Sequence, residues 1–500
     1  MSIYKNFESA KNGTQIPVFQ SGRTMESRYN PERDSENLLN TITEQANIFL
    51  VLGTGSGIFI SLLSQKFPSS KIITFELSSE DFDFLKSSEK ITSLNKNPHI
   101  IFACLENIEQ ILSQNYIPAR DGNLKIIEQK AWINENSAHI YEINQVLKKA
   151  LGIISADYSV QVHFGKIWNS NIINNSILAE KLNTPSSVFT ADCIKNKTAV
   201  VVAAGPSLNR TLEILTDKSQ RENYFIFSTD TAAQTLKKKG ISPEVIVSID
   251  GQAVSYNHFI SNDENKNDET VYAFDLCANA SAARYLYETG HKLFFFCSGH
   301  PLSSAINLSS DTPLPQLFSG AGTVTITALD FALQAGFNKI IILGADFSYQ
   351  NGRAYASGTY LDTLYNQNSS RLTETEQTFS RLMFRTELKE LSANIKTTEI
   401  LEAYRVSLEK YLAGKNVSFS KKEDIYYLET SSKVNVNLLN PNKTLSLKSF
   451  MKKFNSSSLE EKEPLLLPYI AWLRNNENFS TLDYSKLLKL ALDSIVSYNI

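Results

Sequence analysis

Cysteine is scarce in this chain. Cys104, Cys193, Cys277 and Cys297 are all there are in 500 residues. They lie far apart and lack the spacing of zinc ligands, so free thiols in a cytoplasmic protein are expected. A large charge of one sign is also missing. The net formal charge of −3 leaves no electrostatic footprint for nucleic acid. No run approaches the roughly 18 apolar residues of a membrane span. Met1–Thr14 is polar and lacks the apolar stretch of a signal peptide. No Gly-x-x-x-x-Gly-Lys-Ser/Thr loop occurs, which excludes a P-loop kinase. What remains is an ordinary apolar fraction of 42%, enough for full cores. The length suggests about three domains.

One stretch organises the rest: Thr198-Ala-Val-Val-Val-Ala-Ala-Gly-Pro-Ser-Leu-Asn209. Thr198–Ala204 is short, apolar and rich in β-branched residues, as in a strand buried on both faces of a parallel sheet. Gly205 permits a tight turn and Pro206 suits a first helical position. The amides of Ser207, Leu208 and Asn209 are then expected to be free at a helix start, where anions bind. An ordinary capped β–α turn reads equally well.

Residues 1–45 are polar, with a loop expected around Tyr29–Asp34. Ile48–Leu52 reads as a strand, Gly53-Thr-Gly-Ser-Gly57 as a turn, Ile58–Phe67 as a helix and Ile72–Phe75 as a strand ending in Glu76. This resembles a methyltransferase or dinucleotide type of Rossmann unit, with Glu76 placed to grip ribose hydroxyls. A turn that binds nothing is the favoured reading of the two. Residues 134–182 read as helical. Asn-rich patches and Thr184–Ser187 mark a boundary.

From about residue 190 to 365, strands and helices alternate, the signature of a doubly wound α/β sheet. Polar residues follow the strands: Asp230, Asp250, Asp275, His300 and Asp346. In open α/β sheets, ligands sit at these carboxyl ends. Asp230 either caps the next helix or joins the site. Ser319-Gly-Ala-Gly-Thr323 precedes Val324–Ala335, which is apolar almost all round. A second glycine-edged helix start is therefore expected at Gly320, Gly322 and Thr323. The stretch from Asp346 to Tyr360 reads as a loop, either a lid or a packed-down segment, with Tyr349, Tyr355 and Tyr360 as neutral donors. Residues 372–413 read as one long amphipathic helix, with two more helices at 459–475 and 484–499. The expected domains are 1–185 (Rossmann-like with a helical linker), 186–370 (catalytic, doubly wound) and 371–500 (helical).

Four motifs now stand in order: Val-Val-Val-Ala-Ala-Gly-Pro-Ser-Leu208; Val-Ser-Ile-Asp250; Gly-Ala-Gly-Thr-Val324 with Thr327-Ala-Leu-Asp330; and Ile-Leu-Gly-Ala-Asp346. Together they resemble the motility-associated factor (Maf) glycosyltransferases, over roughly residues 30–420. The resemblance implies a sialyltransferase-like central domain. It also implies transfer of a nonulosonic acid (pseudaminic, legionaminic or sialic-like) from its CMP form to Ser or Thr of flagellin. Such a reaction precedes export, in the cytoplasm. No metal or resident cofactor is expected, the CMP-sugar being a substrate. By resemblance Gly205, Pro206, Ser207 and Leu208 contact the nucleotide and Asp250 lies by the donor. Gly320, Gly322 and Thr323 then hold phosphate or carboxylate. Related sialyltransferases use a late histidine base, yet no histidine follows His300 here. Asp346 and His300 are the base candidates. Ala345 and the Gly320–Thr323 turn also depart from the family's usual Gln and Gly-Gly-Ser. The central domain also resembles an archaeal 6-hydroxymethylpterin pyrophosphokinase, with ATP and Mg²⁺ on Asp250 and Asp346. Two rival functions use less of the chain: a methyltransferase would rest on Gly53–Glu76 alone, and a non-enzymatic flagellin chaperone on the helical surfaces.

Overall fold

The computed structural model describes residues 2–182, 194, 196–217, 219–260, 269–320, 322–372, 374–415, 417–431, 433, 435, 438 and 445–497. The expected boundary at Thr184–Ser187, Cys193 and Ala321 lie outside the described residues. The chain forms two compact units. One is Met1–Gly165 with Leu467–Ser494, the other Lys166–Leu466 with Ile495–Ile500. A single helix, Ile140–Lys181, gives its first part to one unit and the rest to the other.

The first unit opens with a hairpin of β1 (Tyr4–Ser9) and β2 (Gln15–Phe19) in a segment that reads as merely polar. The loop expected at Tyr29–Asp34 is largely helix, Pro31–Asn40. Asn30 caps it by accepting from the Arg33 amide at 3.1 Å, and Pro31 takes the first helical position. β3 (Ile48–Leu52), β4 (Lys71–Glu76), β5 (Ile100–Cys104) and β6 (Leu124–Glu128) form a parallel sheet in the order β5-β4-β3-β6. β3 is buried on both faces, as its unbroken apolar run requires.

The glycine turn after β3 is Rossmann-like in backbone, with Gly53, Gly55 and Gly57 all at positive φ. Its surroundings are the chain's own. A Cβ on Gly53 would meet Trp132 and Met25, one on Gly55 would meet Glu26, and one on Gly57 would meet Ile91 and Leu94. Glu26 Oε1 accepts from the Ser56 amide at 2.7 Å and its hydroxyl at 2.8 Å, where a ligand's anion sits in a Rossmann site. Glu76 is fully buried. It accepts from the Thr54 amide (2.6 Å), Trp132 Nε1 (2.7 Å) and the Tyr4 hydroxyl (3.1 Å). The grip expected for ribose is taken by Tyr4 and Trp132.

The second unit is built on an eight-stranded sheet. Its strands are β7 (Thr198–Val202), β8 (Tyr224–Thr229), β9 (Val245–Ser248), β10 (Val271–Asp275), β11 (Lys292–Phe296), β12 (Lys339–Leu343), β16 (Val417–Lys422) and β17 (Ile425–Thr430). The order is β11-β10-β9-β8-β7-β12-β17-β16, parallel from β11 to β12 and antiparallel beyond. Between β12 and β16 lie β13 (Tyr349–Gln350), β14 (Lys389–Ser392) and β15 (Ile395–Thr397), a small sheet of their own. β7 shows why the chain extends here. Ala199 and Val201 face one apolar layer, Val200 and Val202 the other. Helix Val324–Ala335 packs on β7, β8 and β9 with Ile326, Leu329 and Phe331 buried. Each such side chain contributes about 1.5–3 kcal/mol.

The long helix expected over residues 372–413 is not one element. Helix Thr375–Met383 stops, β14 and β15 form a hairpin, and helix Glu399–Ala413 restarts with Thr398 accepting from the Leu401 amide. Leu391, on the apolar face that a single amphipathic helix would have, is 60% exposed. The local cap and strand pairing outweigh a loose helical periodicity.

Burial pushes Glu76 up to about 7, against the Thr54 and Trp132 donors that favour its charge. A folded pKa above the ordinary 4.5 contributes stability at low pH that is lost as pH rises through about 7. Glu76→Gln removes that titration. Unfolding of this unit, followed from pH 5 to 9, should show wild type losing up to about 3 kcal/mol relative to Glu76→Gln. A pH-independent difference sinks the assignment.

Candidate active site

Strand order locates the crevice. β7 to β11 run sequentially in one direction, and β12 lies on the other side of β7. The carboxyl ends of β7 and β12 are therefore a topological switch point, where open α/β sheets bind ligands. The pairing of the two strands continues into their turns. Ala203 donates to the Leu343 carbonyl at 2.9 Å, and Gly205 to the Gly344 carbonyl at 2.8 Å. Two glycines make that approach possible. A Cβ on Gly344, at φ +68°, would overlap the Ala203 carbonyl, and one on Gly205 would overlap Asp346 Oδ2 and the Gly344 carbonyl.

Asp346 is thereby set on the turn. Its Oδ2 accepts from the Ser207 amide at 2.8 Å. Its Oδ1 and the Ser207 hydroxyl are buried and without a hydrogen-bond partner among the described residues. Burial raises the Asp346 pKa, with the Ser207 hydrogen bonding opposing it.

The helix start expected here differs. Leu208–Thr211 is a single turn. The Ser207 amide goes to Asp346, the Leu208 amide to the Gly205 carbonyl (3.0 Å) and the Asn209 amide to the Pro206 carbonyl (3.3 Å). No free row of amides remains for an anion. Leu208 is fully buried in the core under the turn, with Leu212 and Leu343.

The other acids are held locally. Thr229, not Asp230, caps helix Asp230–Lys238. Asp230 is buried and accepts from the Thr231 amide and the Ser248 hydroxyl, both at 2.7 Å. Asp250 is half-buried, accepts from the Gln252 amide at 2.9 Å, and has its pKa raised by burial. Asp275 is buried, pushed up to about 6 by burial, and accepts from the Cys277 amide at 2.8 Å.

His300 caps helix Pro301–Leu308, its Nδ1 accepting from the Leu302 amide at 3.2 Å. Burial pushes its pKa down to about 4, so the ring is neutral at pH 7. With Nδ1 accepting, the proton sits on Nε2, which is buried and unpartnered among the described residues. The imidazole thus presents a donor.

At the second glycine turn, Thr323 is the N-cap residue of Val324–Ala335, with no side-chain capping bond. Gly320 and Gly322 are exposed, Gly322 has φ +68°, and Tyr404 lies beside it. Asp330 accepts from the Phe318 amide (2.8 Å), Gln334 (2.6 Å) and the Tyr411 hydroxyl, fastening the preceding loop to this helix.

The loop after β12 is tied down. Ala356 donates to the Ala204 carbonyl and Ser357 to Asn209 Oδ1, both at 2.9 Å. Asp362 accepts from the Gly358 amide at 2.8 Å and pairs with Arg353 at 3.3 Å. Tyr349 lies in β13 against β15. Tyr355 packs between two apolar clusters. Burial raises its pKa first, and Tyr349, Tyr404 and Asp230 are near enough to add to the rise. Tyr360 opens helix Tyr360–Gln367 and meets His258 edge-on at 5.2 Å. Tyr349 and Tyr355 therefore gather with Tyr404, which no sequence pattern singles out.

A second pair is equally silent in the sequence. Asn171 donates to the carbonyls of Gly251 (3.0 Å) and Cys277 (3.1 Å), and Asn175 to those of Leu276 (3.0 Å) and Ala278 (2.7 Å). These clamp the loops after β9 and β10 to the long helix. The Asn-rich patch looks like a boundary, but i,i+4 spacing puts both residues on one helical face.

Gly205→Ala tests the turn. A methyl group there strikes backbone and carboxylate, so the loss should appear in stability, at about 1–3 kcal/mol or more. Denaturation midpoints within error of wild type count against this packing.

Residues 170–352 match the family model described as 6-hydroxymethylpterin diphosphokinase MptE-like. An uncharacterized protein of Treponema pallidum (strain Nichols) is 38% identical over 144 residues, 28% of this chain and 51% of its own. That match spans only about half of the relative. A second uncharacterized protein of the same organism is 34% identical over 155 residues, 30% of this chain and 70% of its own. Among solved structures, the Maf glycosyltransferase of Magnetospirillum magneticum AMB-1 superposes with a TM-score of 0.55 at 12% identity, covering 99% of this chain and 87% of that one. The chain therefore belongs to one family with the second Treponema protein, and it carries the fold of the Maf glycosyltransferase.

Proposed function

We propose that this protein is a glycosyltransferase that moves a nonulosonic sugar from its CMP-activated form to Ser or Thr hydroxyls of flagellin, in the cytoplasm and without a metal. The observation that carries the reading is Asp346 at the strand switch. One carboxylate oxygen is anchored by the Ser207 amide, and the other is buried and unpartnered among the described residues. A carboxylate so oriented, with a raised pKa, suits a general base. Asp346 takes the acceptor hydroxyl proton. The acceptor oxygen bonds to the anomeric carbon as that carbon's bond to the phosphate oxygen breaks, and CMP departs. Gly205, Pro206 and Ser207 border the nucleotide with backbone, and Leu208 supports them from the core. Asp250 and Asp230 lie on the donor side. Gly320, Gly322 and Thr323, at the start of a twelve-residue helix, receive the phosphate or the sugar carboxylate. Tyr349, Tyr355 and Tyr360 donate as neutral phenols. His300 donates through Nε2.

The fold likeness to the Maf glycosyltransferase supports this reading. The family-model match over residues 170–352 favours a second one, an ATP-dependent diphosphokinase with Mg²⁺ on Asp250 and Asp346.

Asp346→Asn keeps the shape and an acceptor for Ser207. CMP binding should survive, and transfer should fall by about 10²–10⁴-fold. Full transfer by a folded Asp346→Asn protein removes Asp346 from the chemistry.

Metal and nucleotide separate the two enzymes. CMP at about 100 times its dissociation constant should stabilise the protein by about 2.7 kcal/mol in EDTA. That shift is worth several degrees, at about 2–4 °C per kcal/mol. ATP should have little effect with or without Mg²⁺. Stabilisation by ATP–Mg²⁺ with CMP silent overturns the transferase reading, since Mg²⁺ must bridge ATP's phosphates in a kinase.

A further inference from the structure

The first unit holds a cleft of about 600 Å³, within the usual range of ligand pockets. One wall is apolar: Leu124 from β6, with Leu151 and Ile154 from the long helix. Among the described residues that line it, Arg474 alone is charged. Two bonds fix that guanidinium, Nε to the Ala119 carbonyl at 2.9 Å and Nη2 to the Arg120 carbonyl at 3.0 Å. Among the described residues no carboxylate lies within ion-pair distance of it; Asp121 nearby is paired with Arg120 at 2.7 Å. Two phenols stand beside it. Tyr116 donates to the Gly122 carbonyl at 2.9 Å. Tyr158 accepts from Asn475 Nδ2, which leaves its own O–H to donate. Burial raises both phenol pKa values, so both stay neutral.

We infer that this cleft binds an amphipathic anion, a carboxylate on an aliphatic body. The carboxylate would lie on Arg474 and the Tyr158 hydroxyl, and the chain along Leu124, Leu151 and Ile154. A fixed guanidinium without an ion pair among the described residues, in a mixed cleft with one apolar side, suits this chemistry. Charge-assisted hydrogen bonds supply the orientation, and apolar burial supplies the rest of the affinity. The site lies within the first unit and does not depend on the transferase reading.

Calorimetric titration of the full chain with octanoate, octanol and acetate tests it. Octanoate should bind saturably at one site. Octanol lacks the charge and acetate the chain, so each should bind about tenfold or more weakly. Arg474→Gln should weaken octanoate about tenfold or more. Ser155→Trp fills the cleft from an exposed helical position, leaves the guanidinium in place, and should abolish binding. Octanol binding as tightly as octanoate, no octanoate binding to wild type, or unchanged octanoate binding to folded Ser155→Trp each overturns the proposal. None of these results bears on CMP binding or transfer.

Discussion

The bond from the Ser207 amide to the Asp346 carboxylate is the contact on which the second unit depends. It joins the ends of two neighbouring strands that are far apart in sequence. The two glycines serve it. Gly344 turns at positive φ beneath the Ala203 carbonyl, and Gly205 leaves the space that the carboxylate fills. The loop that follows closes the arrangement by returning to β7 through Ala356 and Ala204. An ionised group this buried is costly unless hydrogen-bonded. The single amide on Oδ2 only partly compensates, and Oδ1 has no partner among the described residues. A carboxylate left in that state is under tension toward a proton or a donor, which is a useful state for a base.

The first unit answers the same geometry differently. There too a carboxylate of the chain, Glu26, accepts from the amide of the serine within a glycine turn. Glu26 also takes the Ser56 hydroxyl, whereas the Ser207 hydroxyl remains unpartnered among the described residues. The spaces beside Gly53, Gly55 and Gly57 are filled by side chains: Trp132, Met25, Glu26, Ile91 and Leu94. Those glycines are explained by internal packing, and the turn needs no ligand to account for them. Around Gly205 and Gly344 the obstructions are backbone carbonyls, Asp346 and Leu208.

The parallel strands and their order of appearance were legible in the sequence because strands buried on both faces read as unbroken apolar runs. The buried helix Val324–Ala335 was legible for the same reason. What failed depended on partners remote in sequence. β16 and β17 alternate weakly and belong to the sheet only through β12. The 372–413 segment had a helical period but broke at strand pairs and a threonine cap. At the candidate site, the glycines and Asp346 were visible as residues, but not the carboxylate's claim on the Ser207 amide. The roles of Asn171, Asn175 and Tyr404 are set by contacts that no local pattern announces.

That claim bears on how the proposed reaction divides its charges. An ionised Asp346 already holds the Ser207 amide, and a phosphate placed on the same amide would face a like charge in a half-buried site. The Leu208 and Asn209 amides cannot take its place, since the turn's carbonyls occupy them. The anion of the donor is better received at the start of Val324–Ala335, where the cap residue Thr323 makes no side-chain bond and the flanking glycines are exposed. In the proposed reaction the base then follows β12, and the donor's anion is held apart from it at the start of Val324–Ala335. His300 follows β11, five strands from β12 in the sheet, its Nδ1 is committed to the helix cap, and burial keeps the ring neutral. A neutral imidazole whose only unengaged nitrogen bears the proton cannot remove one from a hydroxyl. The proposed reaction therefore assigns that proton to Asp346.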